Sequence, residues 1–187
     1  MKITDVETFV VDGGRRPWLF SVVRTDAGIT GYGEFGSGVA AHALIGLIED
    51  LKPIVVGKDP EAVEKLYFDM YRTLRQAPGG LAQMGIAGIE LACWDIKGKA
   101  MGVPVNNLLG GPYREKQRVY WSHLASARAS RPELAPDRPL RDWDAVAAAA
   151  QEAPARGYDA FKTNILWPGD PPRAISQSRD GLNHDQR

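Results

Sequence analysis

The polar residue best placed to do chemistry in this 187-residue sequence is Lys162, which ends the largely apolar run Tyr158-Asp159-Ala160-Phe161. In sheets of parallel strands, ligands and reacting groups collect at the carboxyl ends of the strands. A partly desolvated amine there either has its pKa lowered toward use as a base or stays charged and holds a carboxylate substrate. A lysine closing a strand at the surface is the competing reading. Gly31-Tyr32-Gly33-Glu34-Phe35-Gly36 is a literal GxGxxG ahead of a helical pattern, with Asp59 further on, which is the spacing of a dinucleotide-binding turn. The run before it is short and hairpin-like, and Glu34 would set a carboxylate beside a pyrophosphate, so this is the weaker alternative. His42, His123 and His184 lie far apart and belong to no HExxH, HxH or CxxC spacing, so no metal site is read from them. Cys93 sits in an apolar stretch without basic neighbours and reads as a buried core thiol. Glu90 and Asp95 share a helical stretch that is apolar on every side, and buried carboxylates need partners, so each is a structural pair or a site residue.

The elements that must position these groups follow from periodicity. Lys2 to Val11, Trp18 to Thr25 and Ile29 to Glu34 are rich in β-formers and separated by Gly-bearing turns, which predicts a three-stranded antiparallel meander. Leu44, Leu47, Ile48 and Leu51 mark one face of a helix over Ala40–Leu51 that Pro53 closes. Asp59-Pro60 predicts a cap and first turn for a second helix running to Arg75. The third helix, Leu81 to about Ala100, carries Gly85, Ala87, Gly88 and Ala92, small enough to admit a close neighbour despite about 1 kcal/mol per interior glycine. Arg118–Ser122 reads as a strand, Asp142 as the cap of an Ala-rich helix to Ala155, and Tyr158–Ile165 as the next strand. Strand, crossover helix and strand make a βαβ unit with parallel pairing.

Composition bounds the function classes. Lys+Arg 23 against Asp+Glu 23 leaves no net charge to gather nucleic acid or anionic lipid, and 44% hydrophobic residues with 25% charged is ordinary for a globular chain. No apolar run reaches the about 18 residues of a membrane span, and the Met1-Lys2-Ile3-Thr4-Asp5 start lacks an apolar signal core. With one cysteine and no internal disulfide, the expectation is a cytoplasmic protein that binds neither nucleic acid nor membrane.

The segment Ala87-Gly88-Ile89-Glu90-Leu91-Ala92-Cys93-Trp94-Asp95-Ile96-Lys97-Gly98-Lys99-Ala100, continuing Gly102-Val103-Pro104-Val105-Asn106-Asn107-Leu108-Leu109-Gly110-Gly111, resembles the signature of the mandelate racemase/muconate lactonizing branch of the enolase superfamily. The resemblance implies an α+β capping domain over residues 1–116, a three-stranded antiparallel meander plus helices. It implies that residues 117–187 are the incomplete start of a (β/α)8 barrel. In wording, Phe161-Lys162-Thr163-Asn164 is most similar to the acid-sugar dehydratases, particularly galactonate dehydratase-like members. Trp18 and Phe35 then fall in the loops that close over substrate, and Lys162 and Asn164 at the end of the second barrel strand orient a small sugar acid.

Family chemistry removes the proton α to a carboxylate, stabilises the enediolate on Mg²⁺ and expels a β-hydroxyl. Many members carry Lys-x-Lys where this sequence has Lys162-Thr163-Asn164, so a second lysine base is absent. The family's metal carboxylates and His base lie on later strands, and the stretch after Gly111 is far short of the about 200 residues such a barrel needs. The expectation is therefore a fragment of a Mg²⁺-dependent dehydratase that neither binds the metal nor turns over by itself. The alternative is a non-catalytic capping, interaction or oligomerisation module whose exposed surface a partner covers, a homo-oligomer being one such arrangement.

Overall fold

The computed structural model describes residues 1–14, 16–37, 40–76 and 79–174, and the chain divides between Tyr113 and Arg114 into two units. In the first unit, strands β1 (Ile3–Asp12), β2 (Pro17–Thr25) and β3 (Thr30–Ser37) form an antiparallel sheet in the order β1-β2-β3. Helices α1 (Ala41–Val55), α2 (Val63–Thr73), α3 (Leu81–Met101) and the single turn α4 (Val105–Leu108) follow. Gly28, at φ +76°, turns β2 into β3, and the Thr25 hydroxyl reaches the Ile29 carbonyl across that turn at 2.8 Å.

One face of the sheet packs on α3, and the core between them holds Val6, Leu19, Val23, Ile86, Ile89 and Ile96. The approach is close enough to leave no room for side chains. A Cβ on Gly33 would run into the Gly88 carbonyl, and one on Gly31 into the Ala92 carbonyl. Buried Ser21 donates to the Gly88 carbonyl at 2.7 Å, with the Gly33 carbonyl 3.2 Å away, so a β2 hydroxyl joins strand to helix. The outer edge of β3 is also covered by α3. The Tyr32 amide donates to Asp95 at 3.0 Å and the Lys99 ammonium to the Thr30 carbonyl at 2.7 Å, which occupies groups an open edge would offer to another strand. Asp95 also pairs with Lys99 at 2.6 Å, and Glu90 accepts from the Trp94 indole at 3.3 Å, so both carboxylates have structural partners. Cys93 is fully buried, and burial pushes its thiol up to about 12, which leaves it inert.

These contacts correct the GxGxxG reading. Gly31, Gly33 and Gly36 lie inside β3, an edge strand of a meander, whereas a dinucleotide turn lies between a parallel strand and the helix it feeds. Two boundaries also shift. Pro53 lies inside α1, which runs two residues further, because a proline near the end forgoes only one helical hydrogen bond. Asp59 accepts from the Glu61 amide at 3.0 Å and closes a separate turn, so α2 starts at Val63 without a side-chain cap.

In the second unit, α5 (Leu124–Ser130), a 3-10 turn (Pro132–Leu134) and α6 (Trp143–Ala155) precede a two-residue hairpin of β4 (Leu166–Trp167) with β5 (Arg173–Ala174). Asp142 caps α6 as its spacing predicts, accepting from the Ala145 amide at 2.7 Å. The expected strands Arg118–Ser122 and Tyr158–Ile165 are reduced to one parallel bridge, Trp121 with Phe161. Two bonds frame it, Trp121 amide to Ala160 carbonyl at 3.1 Å and Lys162 amide to Trp121 carbonyl at 2.8 Å. The parallel direction is as expected, and the shortness follows because two parallel strands alone give each other half a ladder and no covered faces.

Replacing Gly33 by alanine forces strand and helix apart. Overpacking of this kind costs about 1–3 kcal/mol, read as a lower urea midpoint. An unchanged midpoint would show that β3 and α3 are not held at this distance.

Candidate functional site

The first unit gathers its candidate residues at one end of the sheet. Trp18 pairs across the ladders with Val11 on one side and Ser37 on the other, so the 12–17 connection and the end of β3 meet there. The Trp18 ring is 38% exposed and lies over Gly13, where a Cβ would strike the indole. Glycine at 13 therefore seats the aromatic ring. Phe35, expected at the lid surface, is instead 3% exposed and packs over Gly88, because a register shift in the β2–β3 ladder turns it into the core. Arg15, Gly38 and Val39, in the two expected closing loops, lie outside the described residues.

The second unit holds Lys162 and Asn164, both exposed, immediately after the Trp121–Phe161 bridge. Two apart along the chain, they are assigned one face by strand alternation, with Thr163 between them on the other. On that side stands the start of α5. The Leu124 amide donates to the Lys162 carbonyl at 3.1 Å, the Ser126 amide to the Thr163 hydroxyl at 3.0 Å, and the Asn164 amide to the Ser126 hydroxyl at 3.2 Å. The first two satisfy first-turn amides of a helix whose N-cap, His123, supplies no side-chain cap. His123 is left-handed at φ +59°, an uncommon state for histidine, with Nδ1 3.5 Å from the Ser126 hydroxyl.

Helix α5 is in turn fixed to α6. Arg128 makes a two-pronged pair with Glu152 at 2.7 Å for each bond, and Arg138 adds a third contact to Glu152 at 3.1 Å. The Arg128 guanidinium, with Arg138 behind it, draws the Glu152 carboxyl from its ordinary 4.5 down to about 2. Behind the bridge, Trp121 lies between Tyr158, 5.7 Å between ring centroids, and the Arg156 guanidinium, 4.8 Å from the ring.

The structure thus brings Lys162 to Asn164, and Trp18 to the sheet end beside Gly13. Sequence reasoning missed Ser126 and the role of Thr163. The only available signal was the two-residue alternation, which puts Thr163 opposite its flanking polar neighbours. Among the described residues no three His, Cys, Asp or Glu side chains cluster to hold a metal ion, so the donor set does not fit a catalytic Mg²⁺. No described helix is long and apolar enough to cross a membrane.

Comparison with known proteins adds the following. Residues 13–110 match the model of the mandelate racemase/muconate lactonizing enzyme N-terminal domain. A D-galactonate dehydratase of Xanthomonas campestris pv. campestris (strain B100) is 39% identical over 165 residues, covering 88% of this chain and 38% of that protein. The chain therefore spans about two fifths of the length of such curated relatives. Among solved structures, a Burkholderia xenovorans strain LB400 protein, provisionally named an L-alanine-DL-glutamate epimerase and bound to magnesium and fumarate, superposes with a TM-score of 0.82. It is 36% identical, and the match covers 91% of this chain and 42% of that one. A member of the enolase superfamily from Salmonella Typhimurium gives a TM-score of 0.76 at 38% identity, covering 87% of this chain and 42% of that one.

The Glu152 pair sets a pH dependence. With the folded pKa near 2 and the unfolded value near 4.5, its stabilisation is complete above 4.5 and lost as pH falls through about 2. Acid titration followed at α5 and α6 should show this loss in the native chain and a flattened profile in Glu152→Gln. Identical profiles would contradict the pairing.

Proposed function

Because this chain belongs to the mandelate racemase/muconate lactonizing enzyme family of the enolase superfamily, we propose that it carries substrate-orienting groups of a Mg²⁺-dependent acid-sugar dehydratase acting on a galactonate-like acid. The observation that carries this reading is that the Lys162-Thr163-Asn164 segment directly follows a parallel bridge, and alternation assigns its amine and its amide to one face. The similarity to D-galactonate dehydratases over 88% of the chain supports the substrate class.

In this reading the Lys162 ammonium pairs with the substrate carboxylate or a hydroxyl, a charge-assisted bond stronger than a neutral one. The Asn164 amide donates to one hydroxyl and accepts from another, and being unable to take up a proton it provides no second base. Within the capping unit, Trp18 offers a partly exposed apolar surface at the sheet end and Phe35 supports the fold from within the core. When bound in such enzymes, Mg²⁺ offsets the charge that develops on the substrate carboxylate once its α-proton leaves. The described residues offer it no ligand cluster, so no step through the metal is assigned to them.

A second reading, the capping module as an oligomerisation piece, draws on one observation. On the sheet face turned away from α3, Phe9, Val11, Trp18 and Tyr32 are 40%, 44%, 38% and 53% exposed, with Phe9 stacked on Phe20 at 5.2 Å. Contiguous apolar faces of this kind favour association. Sedimentation at rising concentration decides it, a dimer supporting the module and a monomer throughout removing it.

For the first reading, D-galactonate added to the chain should perturb the NMR signals of Lys162 and Asn164. Lys162→Met should weaken the response about tenfold, as expected for a hydrogen bond to a charged group. With Mg²⁺ present, no 2-keto-3-deoxy acid should form. Absence of any perturbation sinks the substrate assignment, and formation of the keto acid sinks the expectation that this chain does not turn over by itself.

A further inference from the structure

We infer that Ser126 and Thr163 are positioning residues that clamp the strand end so that Lys162 and Asn164 keep fixed directions toward a bound sugar acid. This rests on the reading of those two residues as substrate contacts. The clamp is reciprocal. The Ser126 amide donates to the Thr163 hydroxyl at 3.0 Å, and the Asn164 amide, one residue beyond, donates to the Ser126 hydroxyl at 3.2 Å. Each hydroxyl thus accepts from the opposite backbone, and each has its proton left over. The Thr163 hydroxyl spends its proton on the Asn164 carbonyl at 3.2 Å. The Ser126 hydroxyl lies 3.5 Å from His123 Nδ1, with the direction of that contact set by the imidazole tautomer.

Three features make this more than a chance set of loop bonds. Ser126 is 3% exposed, one of few buried polar side chains among the described residues, and its hydroxyl has partners on both sides. Burying such a group is tolerated only when it is hydrogen-bonded, so the Ser126 hydroxyl is held to its partners. The clamp also substitutes for the strand ladder. Among the described residues no strand pairing follows the Trp121–Phe161 bridge over 162–165, and three bonds with the first turn of α5 take over there. Finally, alternation assigns opposite faces to neighbours, so pinning Thr163 toward α5 turns Lys162 and Asn164 away from it together. Rotation of the segment about its axis would break the clamp before it moved the amine and amide.

Thr163→Val keeps the shape of the side chain and deletes the oxygen, while Thr163→Ser keeps the oxygen. The whole chain serves for the test, with amide hydrogen exchange at Ser126 and Asn164 and D-galactonate titration both read by NMR. The expected result is about tenfold faster exchange at Ser126 in Thr163→Val, about tenfold weaker response to D-galactonate, and recovery of both in Thr163→Ser. Ser126→Ala should speed exchange at Asn164 in the same way. If Thr163→Val leaves the exchange unchanged, the clamp does not exist. A native response to D-galactonate that Thr163→Val leaves untouched overturns the positioning role alone. No native response to D-galactonate, with exchange still accelerated, overturns the substrate reading and the positioning role together.

Discussion

The first unit depends on a backbone-to-backbone contact, the approach of Gly33 on β3 to the Gly88 carbonyl on α3, tied by the Ser21 hydroxyl at 2.7 Å. Any side chain on either facing strand glycine would meet a helix carbonyl, so the distance is set by the absence of Cβ atoms and not by side-chain packing. From it follow the coverage of the β3 edge by Asp95 and Lys99, the seat of Phe35 on Gly88, and the burial of Cys93. A helix apolar on all sides is affordable because the sheet, α1 and α2 each take part of its circumference. The sheet end that presents Trp18 is therefore held from beneath by the same contact.

The second unit is organised differently, with few strand bonds and more side-chain ones. The parallel bridge described there is braced by α5 and α6, whose mutual position is fixed by the Arg128–Glu152 pair. Lost side-chain bonds of this type leave partly buried charge behind, which makes them strict about geometry. Lys162 and Asn164, though exposed, stand on a backbone bonded to Trp121 and to the first turn of α5. In the proposed reading a sugar acid is oriented from this platform, where small misplacements of a contacting group are expensive.

Much of this was legible in the residues. The meander, α3 with its stripe of small residues and the Asp142 cap follow from turn glycines, small-residue spacing and cap chemistry, which are local signals. The GxGxxG string shows the limit of motif reading, since glycines that admit a phosphate and glycines that admit a helix look the same in one dimension. The length of the barrel strands was not legible, because it depends on neighbouring strands and not on propensity. Helix α5 escaped because seven residues give too little periodicity, and with it the Ser126–Thr163 pairing, a contact between residues 37 apart. Phe35 was misplaced by one register shift that no residue type announces.

Native-state hydrogen exchange across β3 and α3 tests the central dependence most directly. If the Gly33–Gly88 contact holds the first unit together, the Tyr32 amide, bonded to Asp95, and the α3 amides from Gly88 to Cys93 exchange with one common free energy and rank among the slowest in that unit. Exchange of Tyr32 well ahead of those helix amides would mean that β3 opens without α3, and the account would be wrong at its foundation.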